Sequence, residues 1–405
     1  MIYRNSSISL ISIPFIFYFA FGYITAPKNI HISGKRILEF DKSIEDQENS
    51  MQIFILNQGK RIPHFEYKEQ LLSGIQLRKG DTRQSGYLGT NESFTIKYKF
   101  IANRGNYFWN DIVFEFSDSF KLFNNIQRIE TKVELISHPK TEPIPKLSLR
   151  PKFTLHTPGQ FLSGKPGVGL NFWGVREYQP GDSTNRILWR LSSRYPERIF
   201  IKEFELEKMA EIGILIDTRE KQPLYYKNKR IAEYSIQAGL SLSKSLLSDF
   251  NRVSVFLLGN NRKRIFSGIG KHQLNKIQSQ LAHYEINGEQ SYDAINRIPL
   301  RIFPKPSIVF IISPLQENDD SIVNRLVSEG HQVTLISPNS FYNPNSNITR
   351  SYEDYLGIRF ANIERVLMLH KIKKNGVQVW DWDLDHPLSY LINLSKRELI
   401  RRKTG

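Results

Sequence analysis

Residues 171–194 read NFWGVREYQPGDSTNRILWRLSSR, and the rest of the chain divides around them. Proline fixes φ at the first turn position and glycine accepts a positive φ at the next. Gln179-Pro180-Gly181-Asp182 therefore predicts a tight turn. Arg176, Glu177 and Tyr178 lead into it, and Arg186, Trp189, Arg190 and Arg194 follow. Guanidinium forks, carboxylates to meet them and a large indole are the materials of a buried, ion-paired peptide. The expectation is a structural clamp between two domains, with Arg186 paired to Asp182 and Trp189 buried. The other reading is a docking face for a partner.

The spacing resembles the signature of the "domain of unknown function 58" family, roughly G-x-R-x-Y-x-P-G-D-x-x-x-R-x-I-x-W-x-x-S-A-R. It is met by Gly174, Arg176, Tyr178, Pro180, Gly181, Asp182, Arg186, Ile187, Trp189, Ser192 and Arg194. Ser193 stands where that family has Ala, and Asn185 and Leu188 stand where it often has Arg and Asp or His. The resemblance continues at residues 104–123 and at the closing segment 375–388, Asn375-Gly-Val-Gln-Val-Trp-Asp-Trp-Asp through Pro387-Leu388. It implies a von Willebrand factor A-like domain and association with MoxR-type AAA+ ATPases and with other von Willebrand factor A-like proteins.

With 405 residues, 40% of them apolar, the chain is long enough for two domains with real cores. There is no cysteine, which excludes disulfides, thiolate catalysis and Cys-based zinc sites. The formal net charge of +16 favours an anionic partner: a lipid surface, nucleic acid or an acidic protein.

Residues 8–26, ISLISIPFIFYFAFGYITA, carry no charge and at helical rise come close to a hydrocarbon core of about 30 Å. A cleaved secretory signal and a buried strand pair are the alternatives. Pro27, directly after the cleavable-looking Thr25-Ala26, argues against cleavage. The expectation is a single-pass membrane anchor, residues 1–28, with Lys28, Lys35 and Arg36 placing the body on the cytoplasmic side. Alternating apolar runs at 51–56, 93–101, 111–116 and 131–136, broken by Gly and Asn, predict a small antiparallel β-sandwich over 29–137. Residues 138–206 hold a proline-rich connector followed by the signature stretch.

From 207 to 405 the pattern changes. Apolar runs at 211–217, 253–258, 307–313 and 332–337 alternate with helical periodicity at 230–250, 274–283 and 319–329. This predicts a doubly wound parallel sheet. The whole is then a multidomain chain, all-β followed by α/β.

A von Willebrand factor A-like domain implies a divalent-cation site of hard oxygen ligands after its first strand. Here Asp217 is followed by Arg219 and Lys221 at the two positions where that site needs serine. The Thr-bearing loop corresponds to 266–270, and Ser313-Pro314 stands where a second Asp would be. The site is expected to be degenerate and without metal, with Asp217 paired to Arg219 or a backbone donor. Residues 163–169, SGKPGVG, lack phosphate-loop spacing, and Pro166 removes an amide donor. Asp381, Asp383, Asp385 and His386 read as a strand end packed on a core. No catalytic constellation and no cofactor site emerge. The expected function is a membrane-anchored, non-enzymatic adaptor acting with a MoxR-type ATPase in protein assembly or remodelling. The alternative is a phosphate- or nucleic-acid-binding protein using the arginine-rich stretch, which its neighbouring carboxylates disfavour.

Overall fold

The computed structural model describes residues 6–26, 30–147, 161–219, 225–227, 229–259, 263–286, 302–315, 319–339 and 352–395. Lys221, connector residues 148–160 and the basic tail 396–405 lie outside them, as do the ends of the expected anchor, 1–5 and 27–28. Two compact units result, Met1–Lys140 with Ala282–Tyr284, and Thr141–Leu281 with Glu285–Gly405.

The first unit opens with helix α1 (Ser6–Thr25), whose side chains are described from Ser12 onward. Phe15, Ile16, Phe17, Phe19 and Ile24 are exposed. Tyr18 and Tyr23 pack on Phe120 and Phe123 of the 118–123 turn, where Asp118 accepts the amides of Phe120, Leu122 and Phe123. Among the described residues no helix is long and apolar enough to cross a membrane.

Nine strands follow: β1 (Ile32–Leu38), β2 (Lys42–Ile44), β3 (Glu48–Asn57), β4 (Ile62–Lys68), β5 (Ile75–Gly80), β6 (Arg83–Leu88), β7 (Ser93–Ala102), β8 (Gly105–Ser117) and β9 (Asn124–His138). They form two sheets, β1-β3-β7-β5 and β2-β9-β8-β4-β6. Period-two alternation fixes the inner face: on β7, Ile96, Tyr98 and Phe100 are buried while Lys97 and Lys99 are exposed. One pairing departs from the antiparallel expectation, since β2 runs parallel to β9. The core also holds a buried ion pair. Arg36 Nη2 donates to both Glu69 oxygens at 2.8 Å, and the Tyr67 hydroxyl donates to Glu69 as well.

The second unit begins with a two-stranded ribbon, β10 (Phe161–Glu177) and β11 (Phe200–Lys208), with the short helix α2 (Trp189–Ser192) between them. Then come β12 (Glu211–Asp217), the small hairpin β13 (Tyr225–Tyr226) and β14 (Lys229–Arg230), α3 (Ile231–Ser248), β15 (Arg252–Leu258), β16 (Lys263–Gly268), α4 (Gly270–Ala282), β17 (Ile308–Ile312), α5 (Asp320–Ser328), β18 (Gln332–Asn339), α6 (Tyr352–Lys374) and β19 (Gln378–Asp383). Six of these strands make one sheet, β16-β15-β12-β17-β18-β19. It is parallel except at the β16 edge. The unit is mixed α/β.

Strands buried on both faces read as unbroken apolar runs, and every residue of β12 is buried. One sheet face packs Leu215, Val309 and Ile311 with Ile322 and Leu326 of α5 and Leu369 and Ile372 of α6. Toward α3 the fit is tight: a Cβ on Gly239 would meet the Ile216 side chain.

Gly213 sits in mid-strand, where a Cβ would fall 2.5 Å from Cδ1 and 2.6 Å from Cγ of the Phe303 ring. A ring cannot yield as a chain end can, and overpacking of this kind costs about 1–3 kcal/mol. Gly213→Ala is expected to lower the melting temperature. Gly174→Ala, whose Cβ would meet nothing within 4 Å, is expected to leave it in place. Equal melting temperatures for the two variants would contradict this packing.

Candidate functional site

The signature stretch forms the tip of the β10–β11 ribbon. Gly174 pairs with Glu203 and Arg176 with Ile201 across the ladder. The turn closes as Asp182 N–H donates to Gln179 C=O at 3.0 Å, with Gly181 at φ 106°, where only glycine is unstrained. Tyr178, half-buried, returns its N–H to Ile199 C=O at 2.7 Å.

Arg176 organises this tip. Its Nη1 and Nη2 donate to the two Asp182 oxygens at 2.7 and 2.6 Å, and its Nε donates to Glu203 at 2.7 Å. Asp182 also accepts the Gln179 N–H at 2.8 Å. The Arg176 hydrogen bonds, followed by that backbone donor, hold the Asp182 carboxyl down at about 2. The same pairing raises Arg176 above its ordinary value.

The expected clamp is corrected at two points. Asp182 is taken by Arg176, while Arg186 lies over the Phe204 ring at 5.6 Å, a cation–π contact. Nor is Trp189 buried: it is 67% exposed, and neither α2 nor the 3-10 turn Thr184–Arg186 holds a buried residue. Phe172, Trp173, Val175, Tyr195 and Ile199 are exposed as well, as are Pro180, Arg190 and Arg194. Among the described residues Arg190 and Arg194 make no ion pair. The pair Arg198–Glu177, 3.0 Å apart, lies open to solvent and adds little stability. The stretch is a small, internally braced hairpin carrying aromatic and cationic side chains outward.

The second cluster lies at the carboxyl end of the parallel strands. The chain runs from β12 to β15 on one side and returns to β17 on the other, so the β12/β17 end is the topological switch point where such sheets hold ligands. Asp217 ends β12, Ser313 follows β17 and Asp319 precedes α5; all three are buried, as is Arg219. Arg219 Nε donates to Asp217 Oδ1 at 2.9 Å. Its Nη2 is 2.8 Å from Asp217 Oδ2 and from both Asp319 oxygens. Ser313 Oγ donates to Asp217 Oδ2 at 2.7 Å. Burial alone would depress the Arg219 pKa; Asp217 and then Asp319 outweigh it and hold it above its ordinary value. The hollow left here measures about 10 Å³, the lower edge of what one water needs. The residues do not fit the divalent cation that a von Willebrand factor A-like domain implies, because a guanidinium already lies among the oxygens.

Asp319 was not legible as a member of this cluster, since it lies 100 residues from Arg219 and reads as a helix start. The loop expected to supply a hydroxyl lies elsewhere. Ser267 donates to Glu211, at the opposite end of β12. The closing aspartates are dispersed: Asp381 pairs with Arg365 at 2.7 Å, Asp385 with Lys227 at 2.8 Å, and Asp383 lies 3.9 Å from His386. Among the described residues no group of three His, Cys, Asp or Glu is arranged to hold a metal.

Residues 174–340 match the family model described as "Protein of unknown function DUF58". That match supports the DUF58 family and starts at the first signature glycine. No curated protein matches the chain. Among solved structures, a CARDB domain from Pyrococcus furiosus in complex with di-metal ions shares 12% identity. The match covers 27% of this chain and 88% of that one, at a TM-score of 0.18. A FixG-related protein from Vibrio parahaemolyticus shares 13% over 27% of this chain and 98% of that one, at 0.19. A family 123 glycoside hydrolase from Clostridium perfringens shares 9% over 87% and 72%, at 0.14. At these scores none of them bears on fold or function.

Two outcomes are expected. Asp217→Ala leaves a buried guanidinium short of a partner and is expected to cost about 3–5 kcal/mol, whereas Trp189→Ala stays within about 0.5 kcal/mol; thermal and urea unfolding read both. Because the Asp182 pKa is depressed, its contribution is complete above the unfolded value of about 3.9 and is lost as pH falls through about 2. In an NMR pH titration the Gln179 amide is expected to stay hydrogen-bonded at pH near 4. Arg176→Ala is expected to raise the midpoint; an unmoved midpoint would show that Arg176 does not hold the turn.

Proposed function

We propose that this chain is a membrane-anchored, non-enzymatic adaptor whose β10–β11 tip is a docking face for a MoxR-type AAA+ ATPase acting in protein assembly or remodelling. The single observation that carries the docking reading is the exposure of Trp189 beside Arg190 and Arg194 on a hairpin braced from within. Outward tryptophan and arginine on a preorganised surface are the residues that dominate protein interfaces. The choice of ATPase rests on the family resemblance. The α/β unit is read as von Willebrand factor A-like from its strand order and flanking helices, a fold suited to binding.

The anchor is α1. Its uncharged sequence and the exposed face from Phe15 to Ile24 suit a lipid environment better than water, and the cations after it favour a cytoplasmic body. The second reading, a phosphate- or nucleic-acid-binding protein, draws on the same exposed Arg190 and Arg194 beside aromatic faces.

Affinity capture from native membranes tests the first reading. Full-length protein is expected to retain a MoxR-type ATPase, and Trp189→Ala with Arg190→Ala and Arg194→Ala is expected to lose it at unchanged melting temperature. Undiminished retention by that variant would overturn the docking face. Salt-dependent binding of a labelled oligonucleotide, lost in the same variant, would favour the second reading. Full-length protein is also expected to stay with membranes through a high-salt wash; recovery in the soluble fraction would remove the anchor.

A further inference from the structure

Helix α1 reaches the sandwich of the first unit at the turn 118–123, between β8 and β9. Tyr18 and Phe21 pack on the Phe120 ring, with centroids 4.5 and 5.5 Å apart, and Tyr23 packs on Phe123 at 6.0 Å. The fit is close: a Cβ on Gly22 would fall 3.0 Å from Leu122 Cδ1 and 3.3 Å from Asp118 Oδ2. The turn holds its own shape. Asp118 is fully buried and accepts three backbone amides from within the turn. Phe120 nonetheless remains 43% exposed. Apolar side chains held outward on a braced turn, and on the helix beside it, mark a membrane or partner surface. We infer that the β8–β9 turn is a second membrane contact of this chain: Phe120, Leu122 and Phe123 lie with Tyr18 and Tyr23 in the headgroup layer of the bilayer that α1 enters.

The inference rests on the reading of α1 as the anchor, and length decides it. The uncharged run ends at Ala26. At about 1.5 Å of rise per residue, Tyr18 lies roughly 12 Å inside that end. The interfacial layer is thinner than this, about 5–8 Å on each side of the hydrocarbon core. Phe120 packs against Tyr18, so the turn cannot stand in bulk water while the run stays in lipid. Its chemistry suits the headgroup layer. Tyrosine is concentrated at membrane–water interfaces, and Tyr18 and Tyr23 bracket the contact. The Asp118 carboxylate is satisfied by backbone amides, and Lys121 forms an exposed pair with Glu66. The register brings further cations to the same end. His64 pairs with Ser117, so the residues before β4 run past the end of β8 toward the turn. Lys60 and Arg61 there are exposed, with Arg61 over the exposed Tyr87 ring at 5.7 Å. Cations beside aromatic rings fit anionic headgroups, and the net charge of +16 has the same sign.

The chain has no cysteine, so a single introduced cysteine carries an environment-sensitive nitrobenzoxadiazole label to one known place. The test uses full-length protein reconstituted in vesicles of phosphatidylcholine and phosphatidylglycerol. Ile13→Cys labels the exposed face of α1. Ser119→Cys, a near-isosteric change at an exposed residue, labels the turn. Ser73→Cys, also exposed, labels the opposite end of the sandwich, where Gly74 C=O accepts the Asn103 N–H. With a nitroxide on the lipid headgroup, the Ser119→Cys label is expected to lose emission and the Ser73→Cys label to keep it. With a nitroxide on the acyl chain, the Ile13→Cys label is expected to lose emission. A Ser119→Cys label as bright as the Ser73→Cys label, with the Ile13→Cys label quenched, would overturn the turn's membrane contact and leave the anchor standing. An unquenched Ile13→Cys label would overturn the anchor reading and this inference with it.

Discussion

The α/β unit depends on the charge held at the carboxyl end of its central strands. Arg219 is buried between Asp217 and Asp319, and each of these groups would be costly to bury alone. Their mutual arrangement ties the end of β12 to the residues entering α5, across the loop that follows β17. Ser313 adds a hydroxyl from that loop, donated to Asp217, so the end of β12, the loop after β17 and the start of α5 meet in one cluster. Removing Asp217 takes two hydrogen bonds from the buried Arg219 guanidinium.

That constraint divides the surface by consequence. At the β12/β17 end, where α/β proteins hold ligands, the described residues leave a hollow of only about 10 Å³. The β10–β11 tip instead settles its charges locally: Arg176 serves Asp182 and Glu203, the turn holds its own shape, and Trp189, Arg190 and Arg194 remain outside. One arginine in each place is structural, and the difference between them is burial. Arg219 is sealed in, whereas Arg176 is half-exposed and braces a surface feature.

The strands buried on both faces were the most legible part of the sequence, because apolar runs such as 211–217 have few other uses. The strands of the first unit at 51–56 and 93–101 were legible for the same reason of period. Edge strands such as β5 and β6 were not, since their exposed residues carry no apolar alternation. Nor was α6: Phe360, Ile363 and Leu367 are exposed while Leu369 and Ile372 are buried, so no polar face marks it as a helix. At the sites, Asp217 with Arg219 could be read because they are two residues apart. Asp319 could not, because only the fold brings it in. The signature stretch is ambiguous in composition: arginine, aspartate and tryptophan suit a buried clamp and an outward face equally, and only the fold pairs Arg176 with Asp182 and leaves Trp189 67% exposed.

The most direct measurement is amide hydrogen exchange across the full-length protein, alone and saturated with a MoxR-type ATPase. Binding through the hairpin predicts slowed exchange within residues 172–204 and unchanged exchange at 217–219 and 313–319. Protection at the β12/β17 end with the hairpin unaffected would contradict the proposed docking face.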